Sequence, residues 1–123
     1  MKSVFLVDDS PTILASLSAI LSRAGVPVEK AGTGEEALSA FKAGKTPLRM
    51  IVTDYHMPGM NGVELVREAR RIPALRFVPI LLLTTESEQA RRDEARQAGA
   101  TGWLVKPVDA GKFLSVLNQV APA

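Results

Sequence analysis

The sequence predicts an α/β fold in which a five-stranded parallel sheet carries helices on both faces. Five short apolar runs alternate with five helical segments along the 123 residues. Successive runs are separated by stretches too long for a hairpin and long enough for a crossover helix. The runs are apolar without alternation, as expected of strands that are covered on both sides.

Length and composition favour one soluble domain. A chain of 123 residues, 46% of them hydrophobic, is long enough for one core and too short for two. The lack of cysteine excludes disulfide scaffolds and thiolate metal sites and suits a reducing cytoplasm. We expect neither a signal peptide nor a membrane anchor, because two acids interrupt the first apolar run after four residues. The 15 basic residues are interleaved with 13 acidic ones, which argues against a nucleic-acid partner.

The first predicted unit is a strand, an acidic tip and a helix. Residues 4–7 are a continuous apolar run that ends at Asp8 and Asp9. Ser10-Pro11 supplies an N-cap and a first-turn proline, and apolar residues then recur at helical spacing, with Ala24 as the last of them, until Gly25.

The second unit repeats this arrangement. Residues 26–31 predict a strand, and Thr33 and Glu36 match a capping box that opens a helix. Gly44 is expected to end that helix.

The third unit delivers a lone carboxylate to the end of a buried strand. Residues 50–54 form the apolar run, and Asp54 stands where a proline and two glycines then turn the chain. A carboxylate at such a point is costly unless something pairs with it. Asn61 and Glu64 predict a capping box for a helix that stops before Pro73.

The last two units complete the alternation. Residues 78–84 predict a buried strand, and residues 87–98 a helix whose few apolar side chains are alanines. Residues 102–105 predict the fifth strand, which Lys106-Pro107 ends, and Asp109 is expected to cap the last helix.

Polar residues follow four of these five strands. The carboxyl ends of parallel strands share one edge of a sheet, where such folds bind ligands. That edge would collect Asp8, Asp9, Asp54, Thr84 and Lys106. Three crowded carboxylates repel unless a cation lies among them, and oxygen ligands suit Mg²⁺ or Mn²⁺ rather than zinc.

Each residue alone also has an ordinary structural interpretation. Asp8 and Asp9 can cap the first helix, and Asp54 can cap the loop that follows it. Thr84 can be a simple strand residue, and a lysine before a proline is usually solvated. We interpret the five as a site because all of them fall at one edge of the predicted sheet.

Four segments resemble the receiver domain of two-component response regulators. They are residues 7–10 (Val-Asp-Asp-Ser), 54–62 (Asp-Tyr-His-Met-Pro-Gly-Met-Asn-Gly), Thr84 and 99–107 (Gly-Ala-Thr-Gly-Trp-Leu-Val-Lys-Pro). The resemblance covers essentially the whole chain. It implies a flavodoxin-like (βα)5 receiver fold with strand order 2-1-3-4-5 and a cis Lys106-Pro107 peptide.

The resemblance also implies roles for the site residues. Asp54 looks like the phosphoacceptor, and Lys106 would hold the acyl phosphate. Asp9 would bind Mg²⁺ directly, Asp8 would be an outer-sphere ligand, and the backbone carbonyl of His56 would complete the protein ligands.

A switch is implied as well. The Thr84 hydroxyl would swing toward the phosphorylated Asp54, and Trp103, at the position of the family's aromatic switch residue, would turn inward. Partners would read the change on the face formed by the fourth helix, the fifth strand and the last helix. Candidate partner contacts are Arg91, Arg92, Arg96 and Lys112. We expect His56, Thr85 and Glu86 to tune the phosphoryl lifetime.

Only three residues follow the last predicted helix, so we expect residues 1–123 to be a single receiver domain without an output domain. The expected function is a cytoplasmic, monomeric response regulator that takes phosphate from a histidine kinase. It is not expected to be an enzyme beyond its own phosphorylation and dephosphorylation. The loops around strands four and five most resemble stand-alone chemotaxis regulators, which bind the flagellar motor switch.

Several alternatives remain at this stage. The chain could be a phosphorelay carrier or phosphate sink, or a receiver cut from a longer regulator. A flavin carrier on the same fold would need a Ser/Thr/Gly-rich phosphate loop where Asp8 and Asp9 stand. A phosphohydrolase with an Asp nucleophile would need a substrate pocket or cap that no segment supplies.

Overall fold

The computed structural model describes residues 2–85 and 89–122. The strands are β1 (Ser3–Val7), β2 (Val28–Ala31), β3 (Leu48–Asp54), β4 (Ile80–Thr84) and β5 (Gly102–Val105). The helices are α1 (Pro11–Arg23), α2 (Gly34–Ala43), α3 (Gly62–Arg70), α4 (Gln89–Ala98) and α5 (Ala110–Val120), with a 3-10 turn at Pro73–Leu75. No helix in the described part of the chain has the length and apolarity that a membrane span requires.

The five strands form one parallel sheet in the order β2-β1-β3-β4-β5. The predicted fold class and strand order are therefore confirmed.

Successive side chains of each strand point to opposite faces of the sheet, so the core has two layers. In β1, Phe5 and Val7 face α2, α3 and α4, whereas Val4 and Leu6 face α1 and α5. Because helices cover both faces, the carboxyl edge is where polar side chains from several strands can meet.

Side-chain caps start four of the helices. Ser10, Thr33, Asn61 and Asp109 each accept a hydrogen bond from the backbone N–H three residues further on. The predicted capping box is complete at Asn61, whose N–H donates to the Glu64 carboxylate at 2.9 Å. At Thr33 the structure shows the N-cap hydrogen bond but no capping box among the described residues, so the capping box predicted for Thr33 and Glu36 is wrong.

Two strands begin later than predicted because each follows a proline. β2 begins at Val28 after Pro27, and β4 begins at Ile80 after Pro79, rather than at residues 26 and 78. Proline has no N–H for the ladder, so its carbonyl alone pairs with the neighbouring strand. The carbonyl of Pro27 accepts from Val4 N–H at 3.0 Å in this way.

One predicted helix end differs from the structure, and one predicted helix start falls on residues that the structure does not describe. Ala24, expected to face inward, lies just beyond α1 and is exposed, because the helix ends one residue earlier. The start of α4 was predicted at residue 87, and residues 86–88 lie outside the described residues.

Arg70 joins two connections at the amino edge of the sheet, the one between α3 and β4 and the one between α4 and β5. Its Nε donates to the Gly99 carbonyl at 2.9 Å, and its Nη1 donates to the carbonyls of Leu75 and Val78 at 2.7 Å each. Burial lowers the pKa of this guanidinium from its ordinary value. Gly99 has a left-handed φ of 110°, and a Cβ there would lie 2.9 Å from Arg70 Cγ. The sequence analysis did not identify Arg70.

Candidate functional site

Three carboxylates meet at the carboxyl edge of the sheet. Oxygen atoms of Asp8, Asp9 and Asp54 all lie within 4.8 Å of one another. Asp54 ends β3, and Asp8 directly follows the adjacent strand β1, whose last residue, Val7, pairs with Thr53. Asp8 and Asp54 are buried, whereas Asp9 is exposed. The carboxylates are thus brought together by the pairing of β1 with β3.

Lys106 reaches the same point from across β4. Its Nζ lies 3.0 Å from Asp54 Oδ1 and 3.2 Å from Asp8 Oδ2. Lys106 directly follows β5, and its backbone N–H donates to the Thr84 carbonyl at 2.9 Å, which extends the pairing with β4. The Lys106-Pro107 peptide is cis. The ammonium therefore occupies a position between two buried carboxylates.

The charges in this cluster perturb one another. Burial raises the pKa of Asp54, the charges of Asp8 and Asp9 add to the effect, and Lys106 opposes it. Burial alone lowers the pKa of Lys106, but the hydrogen bonds and charges of Asp54 and Asp8 outweigh it, so the pKa is raised. The ammonium of Lys106 therefore only partly compensates the cost of keeping Asp54 ionised in a buried site beside two other carboxylates. A further cation would reduce that cost.

The donor set fits a hard divalent cation. Carboxylate oxygens suit Mg²⁺ and Mn²⁺, whereas zinc prefers nitrogen and sulfur ligands. Asp8 is already engaged within the protein, because Oδ1 accepts from Ser10 N–H at 2.9 Å and Oδ2 faces Lys106. Asp9 is exposed at the same cluster. Asp9 is therefore the more open oxygen donor, and Asp54 adds a second donor at the buried side of the cluster.

The loop after β3 packs tightly under Asp54. A Cβ on Gly62 would collide with the Asp54 carbonyl oxygen and lie 2.7 Å from Leu82 Cδ2. Gly62 N–H donates to the Tyr55 carbonyl at 3.0 Å, and Gly59 has a left-handed φ of 74°. The glycines that predicted a turn here are therefore required by close approach and by backbone conformation.

Two of the residues expected to tune the phosphoryl lifetime follow strand ends, His56 in the loop after β3 and Thr85 after β4. His56 is exposed, and its ring packs edge-on against Tyr55 with 4.7 Å between ring centres. Thr85 is exposed directly after Thr84, and Glu86 lies outside the described residues.

The two residues expected to form a switch line one small cavity. Thr84 is buried at the end of β4, and Trp103 is half-buried in β5 against the layer that includes α4. Both line a cavity of about 10 Å³ together with Tyr55, Leu82, Arg92 and Ala95.

Sequence analysis missed the contact that Tyr55 makes here. Its hydroxyl donates to Glu94 Oε1 of α4 at 2.8 Å. The alternation of side chains along a strand could have indicated this contact, because Tyr55 directly follows Asp54 and must point to the opposite face of the sheet.

The candidate partner contacts differ in exposure. Arg96 on α4 and Lys112 on α5 are exposed, and Arg92 is half-buried. The side chain of Arg91 lies outside the described part of the chain.

Comparison with known proteins agrees with this geometry. Residues 4–118 match the response regulator receiver domain family. Protein PilH of Pseudomonas aeruginosa is 30% identical over 120 residues, covering 98% of each chain. The structure of chemotaxis protein CheY4 of Vibrio cholerae superposes with a TM-score of 0.91 at 42% identity, covering 98% of each chain.

A third similar protein is the receiver domain of a Pseudomonas aeruginosa sensor histidine kinase. It has a TM-score of 0.89 at 26% identity and covers 99% of this chain and 98% of its own. Its crystal structure holds a magnesium ion in the active-site cleft. The chain described here therefore belongs to the response regulator receiver domain family, and its fold is CheY-like.

Proposed function

We propose that Asp54 accepts a phosphoryl group from a histidine kinase in a Mg²⁺-dependent reaction, and that the modified protein signals by altered partner binding. The observation that carries this proposal is the cluster of three carboxylates with oxygens within 4.8 Å, one of them held 3.0 Å from Lys106. An acid cluster of this kind, beside an ammonium, suits the attack of a carboxylate on phosphorus.

The chain's own residues would do most of the positioning. An Asp54 oxygen forms the new O–P bond as the P–N bond of the kinase phosphohistidine breaks, and the imidazole leaves with a proton from solvent. Lys106 is placed to follow the phosphoryl oxygens, since its Nζ already contacts Asp54 Oδ1. Burial of Asp54 keeps the ion pair with Lys106 in a site of low dielectric, where it acts more strongly than in water.

Asp9, Asp54 and the backbone carbonyl of His56 would hold the divalent cation, with Asp8 as an outer-sphere ligand. When bound, the cation would neutralise charge on the carboxylates and on the transferred phosphoryl oxygens. Support comes from the oxygen donor set and from the magnesium ion in the similar receiver domain of the sensor histidine kinase.

Thr84 and Trp103 would report the phosphorylation. Their common cavity supports a coupling in which the Thr84 hydroxyl moves toward the phosphoryl group and Trp103 turns inward. His56 and Thr85, both exposed after strands that end at the carboxyl edge of the sheet, would tune access of water and hence the phosphoryl lifetime.

We propose a cytoplasmic, monomeric protein without turnover of external substrates, whose output depends on partner binding. The face of α4, β5 and α5 suits this, because it exposes Arg96, Lys112 and the apolar Val105, which is 40% exposed. The similar CheY4 is a chemotaxis protein, which favours a partner at the flagellar motor switch. A phosphorelay carrier or phosphate sink is the alternative.

The test is intact-mass analysis after incubation with acetyl phosphate and Mg²⁺, or with a phosphorylated histidine kinase. We expect a mass gain of one phosphoryl group that is absent in Asp54→Asn and after chelation of Mg²⁺. A wild-type protein that binds Mg²⁺ and gains no phosphoryl group contradicts the proposal.

Transfer experiments separate the two kinds of output. A motor-type regulator should bind its target more tightly when activated by beryllium fluoride. A carrier or sink should instead pass its phosphoryl group to a second histidine protein or lose it to water without gaining a partner.

A further inference from the structure

Two arginines of α4 lie over the indole ring of Trp103. The guanidinium carbon of Arg92 is 5.0 Å from the ring centre, and that of Arg96 is 5.6 Å away. Residues four apart lie on the same side of a helix, so both side chains extend toward β5. A guanidinium within about 6 Å of an aromatic ring centre is attracted by the ring's negative face. Trp103 is thus held against α4 by two cations.

Arg92 depends on this contact more than an exposed arginine does. Its side chain is half-buried, and its Nε is buried with no hydrogen-bond partner among the described residues. A buried N–H without a partner is unfavourable, and attraction to the ring is the compensation that the structure offers. Desolvation also makes the attraction stronger than at a fully exposed site.

The space behind the ring is too small for it. The cavity that Trp103 lines with Thr84 has a volume of about 10 Å³, and Ala95 of α4 forms part of its wall. Such a volume holds about one water molecule and no indole. An inward turn of Trp103 therefore requires α4 or the side chains around the cavity to move.

A hydrogen bond joins this helix to the residue beside the acceptor. Tyr55 directly follows Asp54, and its hydroxyl donates to Glu94 Oε1 at 2.8 Å. Glu94 stands between Arg92 and Arg96 in α4. Displacement of α4 must therefore break or reorient a bond that begins one residue from Asp54.

We propose that Arg92 and Arg96 form a clamp that holds Trp103 in its half-buried position while Asp54 is unmodified, and that the Tyr55–Glu94 hydrogen bond fastens the helix carrying the clamp. The clamp increases the free energy that activation must supply to turn Trp103 inward. This regulatory consequence rests on the proposed function, whereas the clamp itself is a property of the unmodified protein.

The first experiment measures acrylamide quenching of Trp103, the one tryptophan of the chain, without any phosphodonor. Because the cavity behind the ring has no room for the indole, a ring released in the unmodified protein turns toward solvent. The double variant Arg92→Gln/Arg96→Gln should therefore raise the ratio of released to held Trp103 by about two- to fivefold and increase the quenching constant. The control is Arg71→Gln, which removes the charge of an exposed arginine that follows α3. Arg96→Lys in the background of Arg92→Gln should partly restore protection, because it keeps a cation over the ring.

Equal quenching of wild type and double variant, with unchanged circular dichroism, overturns the clamp.

The second experiment titrates beryllium fluoride in the presence of Mg²⁺ and follows the fluorescence of Trp103. The double variant should respond at about two- to fivefold lower concentration of the mimic than wild type. Tyr55→Phe keeps the ring, removes the hydroxyl and should shift the response in the same direction. If the double variant shows increased quenching but an unchanged beryllium fluoride titration, the proposal that the clamp resists activation is overturned.

Intact mass keeps the two proposals apart. If acetyl phosphate adds no phosphoryl group to Asp54, the proposed function fails, and the quenching comparison still decides whether the clamp exists.

Discussion

Lys106 Nζ lies 3.0 Å from Asp54 Oδ1, at a point where burial raises the pKa of that carboxyl despite the ammonium beside it. The ion pair is therefore a partial compensation, and the ionised Asp54 remains less favourable in the folded protein than in the unfolded chain. The site is electrostatically prepared for one more cation.

The raised pKa predicts how metal-free stability depends on pH. Above the ordinary value of 3.8, the folded state keeps the Asp54 proton longer than the unfolded state does. The raised pKa of Asp54 thus makes a stabilising contribution to the free energy of unfolding. This contribution is fully present below pH 3.8 and is lost as pH rises through the raised pKa. Urea titrations in EDTA should show this decline in the free energy of unfolding in wild type.

Asp54→Asn removes the titrating group. We expect a flatter pH profile and, at neutral pH without metal, greater stability than wild type. Parallel profiles for the two proteins would show that Asp54 ionises as readily in the folded protein as in the unfolded chain.

Mg²⁺ should make wild type more stable than Asp54→Asn, which reverses the order expected without metal. A cation that binds only the folded state at about 100 times its Kd raises the free energy of unfolding by about 2.7 kcal/mol. Thermal melts with increasing MgCl2 should show this for wild type, and Asp54→Asn should lose most of the effect. Asp109→Asn is the matched control, because it changes a carboxylate into an amide at a helix cap outside the cluster of Asp8, Asp9 and Asp54. Equal gains in all three proteins would place the cation elsewhere.

Gly62→Ala should be strongly destabilising. Its Cβ would meet the Asp54 carbonyl and Leu82, so we expect a loss of about 2–3 kcal/mol in the free energy of unfolding. Gly32→Ala makes the same change where a Cβ has nothing within 4 Å, and it should stay within about 0.5 kcal/mol of wild type. Chemical denaturation of both variants measures the difference, and a neutral Gly62→Ala would mean that the loop relaxes without cost.

Arg70→Met should also destabilise the fold. The substitution keeps an unbranched apolar stem and removes the guanidinium donor from the carbonyls of Gly99, Leu75 and Val78. The Leu75 carbonyl then keeps the Val78 N–H at 3.3 Å. We expect a loss of about 2–4 kcal/mol. Arg71→Met, at a side chain 77% exposed and paired with Glu68, should cost at most about 1 kcal/mol. Similar urea midpoints for the two variants would contradict a structural role for Arg70.

Local signals in the sequence were sufficient to predict the helices and strands and to place the acidic residues at strand ends. Apolar runs, caps and glycines depend on neighbouring residues, so β5 and the caps at Ser10 and Asn61 lie where the pattern predicts. β1 and β3 end where predicted and begin one and two residues earlier, at Ser3 and Leu48. Strand starts were less accurate, because Pro27 and Pro79 interrupt the ladder without interrupting the apolar run. Alternation alone left the strand order open, and the family resemblance supplied it.

The sequence by itself determined that Asp8, Asp9, Asp54, Thr84 and Lys106 stand at strand ends, because parallel strands must share one carboxyl edge. Only the tertiary structure decided which side chains touch. Lys106 crosses β4 to reach Asp54, Tyr55 bonds to Glu94, and Arg92 lies over Trp103. These contacts join residues from different helices, strands and loops, and they depend on helix packing and side-chain rotamers, which periodicity does not specify.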